Sequence, residues 1–254
     1  MAQAPPLYKS DTAVPDETYY VTIDLGNGAK PVSGIFVPEN YKTSSSADII
    51  LWLMGHHDNS AYPPTLWIAQ YWVNYQHFHF REFVNAGNKN VILVAPSLGP
   101  DSESGKLTSS TGLSWYLDQV LAALEAYGPF QTVPQLGNLI IACHSGGGYP
   151  MRRIATAYPQ QPYLSNIKQL WGFDCLYNNG DEKAWLTWAQ QNGTRTLLIR
   201  YGSGGTADKS RNLKTMAVNQ SNIDVDGVVT TPHNYVPKTY WDNFIKGASF
   251  LSNK

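Results

Sequence analysis

The sequence has little charge and no long apolar segment. Only 15% of its 254 residues are Asp, Glu, Lys or Arg, and the formal net charge is −1. Because there is no block of like charge, nothing favours binding to nucleic acid or to an anionic membrane surface. No apolar run approaches the roughly 20 residues that a membrane-spanning helix needs. We therefore expect neither a nucleic-acid partner nor a membrane span.

Cysteine and targeting signals are also scarce. The two cysteines, Cys143 and Cys175, are too few for a disulfide scaffold. They end two strands that we predict to be neighbours, so a bridge is one alternative, but we expect buried free thiols. The first residues, M-A-Q-A-P-P-L-Y-K-S, have neither the charged region nor the apolar region of a signal peptide. Cytoplasmic and exported locations both stay open, as does the oligomeric state.

Hydrophobic residues, by contrast, make up 43% of the chain, which is enough for a full core. The length suits one large domain or two small ones, and we find no internal repeat and no long linker. We predict a single domain over residues 1–254, with residues 1–18 as an irregular N-terminal arm.

Short apolar segments recur along the chain. Two of them, Tyr19–Leu25 and Lys30–Pro38, flank the turn residues Gly26, Asn27 and Gly28, which predicts an antiparallel hairpin. The later ones fit strands that are buried on both faces of a parallel sheet. These are Ile49–Met54, Val91–Ala95, Leu139–Cys143, Gln169–Phe173 and Thr196–Tyr201.

Helical patterns lie between these segments. One stretch has its apolar residues on a single helical face and ends near Gly128, and another ends on Gly193. A last helix is predicted from about Lys238, with a buried stripe of Tyr240, Phe244, Ile245, Ala248 and Leu251. Alternating strands and helices predict an α/β fold with a mostly parallel sheet and helices on both faces. Ligands of such sheets bind at the C-terminal ends of the strands.

The segment I-I-A-C-H-S-G-G-G-Y, from Ile140 to Tyr149, runs from a predicted strand into a serine and three glycines, and a helix follows. A sharp strand–serine–helix turn exposes the serine hydroxyl at the sheet edge and directs the next backbone N–H toward a reacting group. Such a turn is crowded, so small residues are needed around it. Ser145 is therefore a candidate nucleophile, and a passive serine in a glycine-rich turn is the alternative.

This segment resembles the nucleophile elbow, G-x-S-x-G, of the α/β-hydrolase superfamily. Gly147 matches the second glycine of the motif, while Cys143 stands in place of the first. The resemblance extends from about Ile49 to the C-terminus. It implies the α/β-hydrolase fold and a serine hydrolase of the esterase or lipase kind, with an acid and then a histidine following the serine in the chain.

The only histidine after Ser145 is His233, between an expected short strand at Val228 and Val229 and the final helix. The resemblance implies that the catalytic base lies on a loop after the last strand, which fits His233. The alternative is that His233 is an ordinary surface histidine.

Two aspartates could orient this base. Most members of the superfamily carry the acid after the later strand, which favours Asp208, but a position in a first helical turn also explains that residue. Asp174 ends an apolar strand, where a carboxylate is costly unless it is paired. The tetrapeptide D-C-L-Y at Asp174 also resembles a D-x-L-Y of some bacterial hydrolases of this fold. We expect Asp174 to be the acid and keep Asp208 as the alternative.

The resemblance also implies an oxyanion hole. Its backbone donors would be Gly146, after the serine, and His56, after the pair Met54-Gly55. The adjacent His56 and His57, with Asp58 nearby, lack the spacing of a specific metal site, so we expect neither a metal nor another cofactor.

Two features concern the substrate. The aromatic stretch Leu66–Arg81 is predicted to be mostly a buried helix face, with the remainder lining an apolar cleft. No long insertion follows Gln169–Phe173, where the superfamily often has a lid domain, so an open site without a large lid is expected.

The resulting hypothesis is a serine hydrolase that cleaves a small-molecule or polymeric carboxylic ester through an acyl-enzyme. An amidase or peptidase with the same triad is the second hypothesis, although the sequence gives no charged anchors for a peptide terminus. A catalytically silent binding module of the same fold is the third.

Overall fold

A computed structural model describes residues 2–11, 17–56 and 78–254 of the chain. Within these ranges nine strands form one sheet in the order β1-β2-β3-β5-β4-β6-β7-β8-β9. The strands are β1 Leu7–Asp11, β2 Glu17–Thr22, β3 Val32–Val37, β4 Ser46–Leu53, β5 Ile92–Pro96, β6 Gln135–His144, β7 Ile167–Phe173, β8 Thr196–Tyr201 and β9 Ile223–Gly227.

The described helices alternate with the later strands. They are α1 Phe80–Ala86, α2 Gly112–Ala126, α3 Gly148–Thr156, α4 Asp181–Gln191, α5 Ala207–Met216 and α6 Val236–Gly247. In the described ranges, no helix combines the length and the hydrophobicity that crossing a bilayer would require.

The sheet is parallel from β5 through β4 and β6 to β9, and antiparallel from β1 to β3 and at the β3–β5 pair. Residues 49–54 of the central region are all fully buried. Because successive side chains of a strand point to opposite faces, both faces of the sheet must be covered. The predicted α/β class, with a mostly parallel sheet and an N-terminal hairpin, is confirmed.

The hairpin forms close to its predicted place, with Glu17 opposite Val37 and Thr22 opposite Val32. Residues 1–18, however, do not form a wholly irregular arm as predicted, since β1 lies within them and pairs with β2. The short length of β1 and its position at the sheet edge explain why the local pattern did not reveal it.

The last strand was also predicted at the wrong residues. β9 occupies Ile223–Gly227, whereas Val228 and Val229 follow it and are each 51% exposed. Only Val225 of β9 is fully buried, because β9 is an edge strand with one face toward solvent. A single buried position gives too weak an alternation to distinguish this strand from the valine pair.

The final helix begins two residues earlier than predicted and packs through a slightly different stripe. Trp241, rather than Tyr240, joins Phe244 and Ile245 in the core. The Trp241 ring stacks on Phe80 of α1, with ring centroids 4.0 Å apart, and contacts Trp52 of β4 edge-on at 5.4 Å. This aromatic cluster lies under the C-terminal edge of the central strands. Of the predicted aromatic stretch, residues 66–77 lie outside the described residues, and Phe78 and Phe80 are buried.

Candidate active site

Ser145 stands on a sharp turn between β6 and α3. β6 ends at His144, residues 145–147 form one turn of 3-10 helix, and α3 begins at Gly148. Ser145 has φ +53°, a left-handed conformation that is uncommon for a residue with a Cβ. A Cβ at Gly147 would lie 2.3 Å from the Leu53 carbonyl oxygen, so only glycine fits there. The strained conformation is therefore held by close packing of the turn against β4.

The cysteine that replaces the first glycine of the motif is accommodated as a buried thiol. Cys143 and Cys175 are both buried and free, as expected. A hydrogen bond with Cys143, together with burial, raises the pKa of the Cys175 thiol well above its ordinary value. The Cys175 thiol therefore stays protonated and contributes packing rather than nucleophilic reactivity.

Asp174 and His233 are in direct contact. The Nδ1 atom of His233 lies 2.6 Å from Oδ2 of Asp174. The other carboxylate oxygen of Asp174 accepts the backbone N–H of Gly202 at 3.3 Å and the hydroxyl hydrogen of Thr206. Because the carboxylate can only accept, Nδ1 carries a proton, and in the neutral ring Nε2 of His233 keeps its lone pair. That tautomer is the one in which a histidine can act as a base.

Burial raises the pKa of Asp174, which is only 1% exposed, but its partners reverse the effect. Hydrogen bonds from His233, Thr206 and Gly202, together with the charge interaction with His233, bring the pKa below its ordinary value. Asp174 is therefore ionised at neutral pH although it is buried. Its φ of +49° is a second strained backbone position at this edge of the sheet.

Asp208, the alternative acid, is placed elsewhere. It lies in the first turn of α5, its side chain is 87% exposed, and its carboxylate pairs with Arg211 of the same helix. The structure thus brings Asp174, and not Asp208, to His233.

His233 begins a short 3-10 turn before α6, and its side chain is one-third exposed. Tyr177 lies beside this ring. The two rings meet edge to face with centroids 6.3 Å apart, and Tyr177 lines a common cavity with Ser145. Ser145 and Asp174 directly follow the neighbouring strands β6 and β7, so the Asp174–His233 pair lies at the same edge of the sheet as Ser145.

The two predicted oxyanion donors also adjoin the serine. A Cβ at Gly55 would lie 2.7 Å from the Cβ of Ser145, so the loop after β4 passes directly against the serine. A Cβ at Gly146 would lie 2.5 Å from the imidazole ring of His56. The segments that carry both backbone N–H groups are thus packed around Ser145. No group of three His, Cys, Asp or Glu side chains in the described part of the chain could hold a metal ion, while His57 and Asp58 lie outside it.

A cavity of about 390 Å³ opens above Ser145. Its lining comprises His56, Asp101, Ser145, Gly146, Tyr149, Cys175, Tyr177 and Asn178. The connection from β7 to α4 is only residues 174–180 long, so no insertion covers the cavity at this point. A cavity of about 410 Å³ beside Asp118 and Tyr163 is as large, but its described lining contains no serine or histidine.

Besides Asn178, three residues of this lining were missed by the sequence reasoning. Tyr149 and Tyr177, which are 45% and 46% exposed, follow Ser145 by four residues and Asp174 by three. The 3-10 turn and the first residue of α3 accordingly separate Tyr149 from the serine. Asp101 comes from the loop after β5. The rule that ligands bind at the C-terminal ends of parallel strands could have indicated all three.

The hydroxyl of Thr206 provides a test of how Asp174 is held. Thr206→Val keeps the shape of the side chain but leaves one carboxylate oxygen with only the Gly202 N–H. We expect the free energy of unfolding in urea to fall by about 1–3 kcal/mol, because a buried charged acceptor loses a partner. Thr206→Ser, which keeps the hydroxyl, is the matched control and should stay closer to the native value. Equal stability of the Val and Ser proteins would contradict this account.

The pH dependence of stability follows from the same contact. Because the pKa of Asp174 is lower in the folded state, its contribution is full above the ordinary aspartate pKa and is lost as the pH falls through the folded value. Thr206→Val reduces the shift, so acid unfolding of this protein should begin at a higher pH than that of the native protein.

The sequence matches no family model and no curated protein. Solved structures match over nearly the whole chain. An S-formylglutathione hydrolase from Agrobacterium tumefaciens has a TM-score of 0.59 at 14% identity and covers 94% of this chain and 97% of its own. A ferulic acid esterase has a TM-score of 0.58 at 12% identity, with 90% and 93% covered. A siderophore hydrolase from Aspergillus nidulans has a TM-score of 0.55 at 10% identity, with 96% and 97% covered.

Identities this low show a shared fold and nothing finer. The neighbours have the α/β-hydrolase fold, and the fold predicted from the elbow segment is confirmed for this chain.

Proposed function

We propose that this chain is a single-domain serine hydrolase that cleaves carboxylic esters through an acyl-enzyme. The observation that carries the proposal is the contact of His233 with the buried carboxylate of Asp174, at the edge of the sheet where the strained elbow presents Ser145. Buried charge and backbone strain in one place are costly, and both are typical of catalytic sites.

The proposed reaction begins when the Ser145 oxygen attacks the ester carbonyl and Nε2 of His233 takes the hydroxyl proton. Asp174 stabilises the imidazolium that forms, because its carboxylate accepts the Nδ1 proton. The backbone N–H groups of Gly146 and His56 stabilise the negative oxygen of the tetrahedral intermediate. His233 then gives its proton to the departing alcohol, which leaves an acyl group on Ser145.

The second half of the reaction repeats these roles with water. His233 takes a proton from water as the oxygen attacks the acyl carbonyl, and the resulting intermediate releases the acid and restores the Ser145 hydroxyl. Each step transfers one proton through the same nitrogen of His233. The reaction as proposed needs no metal or other cofactor.

Ester substrates are supported by the structural neighbours, whose names refer to S-formylglutathione, ferulic acid and siderophores. One observation favours an amide substrate as a second candidate. The carboxylate of Asp101 in the cavity lining is the kind of group that would bind the free amine of a peptide N-terminus. A silent binding module is disfavoured because His233 is already held in the tautomer that a base requires.

Hydrolysis of p-nitrophenyl esters of increasing acyl length, measured beside p-nitroanilides of amino acids, tests this proposal. We expect turnover of at least one ester to exceed that of every anilide, with none remaining in the Ser145→Ala protein. A preference for the anilides would replace the esterase by a peptidase with the same triad. Absence of turnover on both series would favour the silent module.

A further inference from the structure

The residue before the proposed nucleophile, His144, is buried against the proposed base. It is 3% exposed, and its imidazole ring lies beside that of His233 with centroids 4.4 Å apart and planes inclined by 34°. The His144 ring also meets Phe78 edge to face, with centroids 5.6 Å apart. A buried polar ring thus contacts both an aromatic side chain and the base.

His144 also contacts the backbone that carries the base. Its Nε2 atom lies 3.2 Å from the carbonyl oxygen of His233. A carbonyl oxygen only accepts, so Nε2 of His144 carries a proton and donates it. The other nitrogen, Nδ1, is then a bare acceptor, and it has no hydrogen-bond partner among the described residues. An unpaired acceptor is a smaller cost than an unpaired N–H, which fits this tautomer.

The ring stays neutral while it makes this contact. Burial, followed by repulsion from the charge of His233, lowers the pKa of His144 to about 3. A neutral ring donates one hydrogen bond without adding a second positive charge beside the imidazolium that forms during the reaction.

We propose that His144 is a positioning residue for the reaction, holding His233 in place through the hydrogen bond from its Nε2–H to the His233 carbonyl and through contact of the two rings. This inference rests on the proposed function, because it assigns His233 as the base. His233 belongs to a short 3-10 turn between β9 and α6 rather than to a long element. Asp174 holds the imidazole itself, and His144, the last residue of β6, holds the backbone of this turn against the sheet.

The test compares substitutions that separate the ring from the donor. His144→Phe keeps an aromatic ring beside Phe78 and His233 but removes the donor. We expect its kcat on the best ester to fall by about 10–100-fold with KM nearly unchanged, because small misplacements of a catalytic group are costly. His144→Gln carries an amide N–H close to the Nε2 position and should restore most of kcat. His144→Asn, whose amide is too short to reach the carbonyl, should not.

A double substitution distinguishes positioning of His233 from a disturbance of the adjacent Ser145. In a His233→Ala background there is no imidazole to position, so His144→Phe should change the residual kcat little. If His144→Phe is poorly folded, the comparison of kcat between His144→Gln and His144→Asn decides the question instead. Equal kcat for the Gln and Asn proteins, or an equal loss from His144→Phe in both backgrounds, would overturn the proposal.

Fluorophosphonate labelling of the native protein distinguishes a failure of the positioning role from a failure of the proposed function. If a fluorophosphonate labels native Ser145 but reacts as fast with His144→Phe as with the native protein, the positioning role fails and the hydrolase stands. If the native protein is not labelled, the proposed function itself fails.

Discussion

Replacing Ser145 by alanine should lower kcat on the best ester by about 10⁴-fold or more, because the protein loses its only proposed nucleophile. The folded state should persist, because Ser145 lies half-buried at the edge of the sheet. The close contacts at the elbow are made at Gly55 and Gly147 and do not depend on the Ser145 hydroxyl. Steady-state kinetics and a urea titration of the same preparation measure both effects.

The proposed base should behave as one unit with the serine. His233→Ala should lower kcat by a similar factor, and the double substitution should be no worse than either single one, because each change already abolishes the proton transfer. Independent sites would instead show losses that multiply. A loss of less than about tenfold in His233→Ala would remove His233 from the mechanism.

Asp174→Asn should lower kcat by about 10⁴-fold, although the Asp and Asn side chains have nearly the same shape. The Asp174 carboxylate accepts the Nδ1 proton of His233 at 2.6 Å. An amide that keeps the hydrogen bonds from Thr206 and Gly202 through its oxygen turns its NH₂ group toward Nδ1 instead. That arrangement favours the histidine tautomer with the proton on Nε2, which cannot accept a proton from Ser145.

Asp208→Asn is the matched control. It makes the same chemical change at Asp208, the other aspartate that lies between Ser145 and His233 in the chain and could have been the acid. Its side chain is 87% exposed and pairs with Arg211, so kcat should stay within about threefold of the native value. If Asp208→Asn lost activity while Asp174→Asn kept it, the assignment of the acid would be reversed. If neither lost activity, a triad would no longer be tenable.

The parts of the fold that the sequence predicts are those whose signal is local. The buried strands β4–β8 each contain a short apolar segment, and the elbow at Ser145 has a distinctive order of residue types. The edge strands do not have such a signal. β9 has a single fully buried residue, and β1 lies in a segment that resembled an irregular arm.

The choice between the two aspartates shows the same limit within the site. Local sequence gives each of them a reasonable environment. The hydrogen bonds that hold Asp174 come from Gly202, Thr206 and His233, which are 28, 32 and 59 residues further along the chain. They come together because Asp174 follows β7, Gly202 and Thr206 follow β8, and His233 follows β9, which are neighbours in the sheet. The strand-end rule indicates the loops that carry Tyr177 and Asp101, but which side chains of those loops line the cavity depends on how the loops fold over the sheet edge.

Labelling of the native protein with a fluorophosphonate, followed by mass spectrometry of the tryptic peptides, tests the central claim most directly. Such a reagent forms a stable adduct with a serine only where a base activates the hydroxyl. We predict one adduct per chain, on Ser145 in the peptide of residues 107–152, that is absent from Ser145→Ala and forms far more slowly in His233→Ala and Asp174→Asn. An adduct at another residue, or a labelling rate that His233→Ala leaves unchanged, would contradict the account.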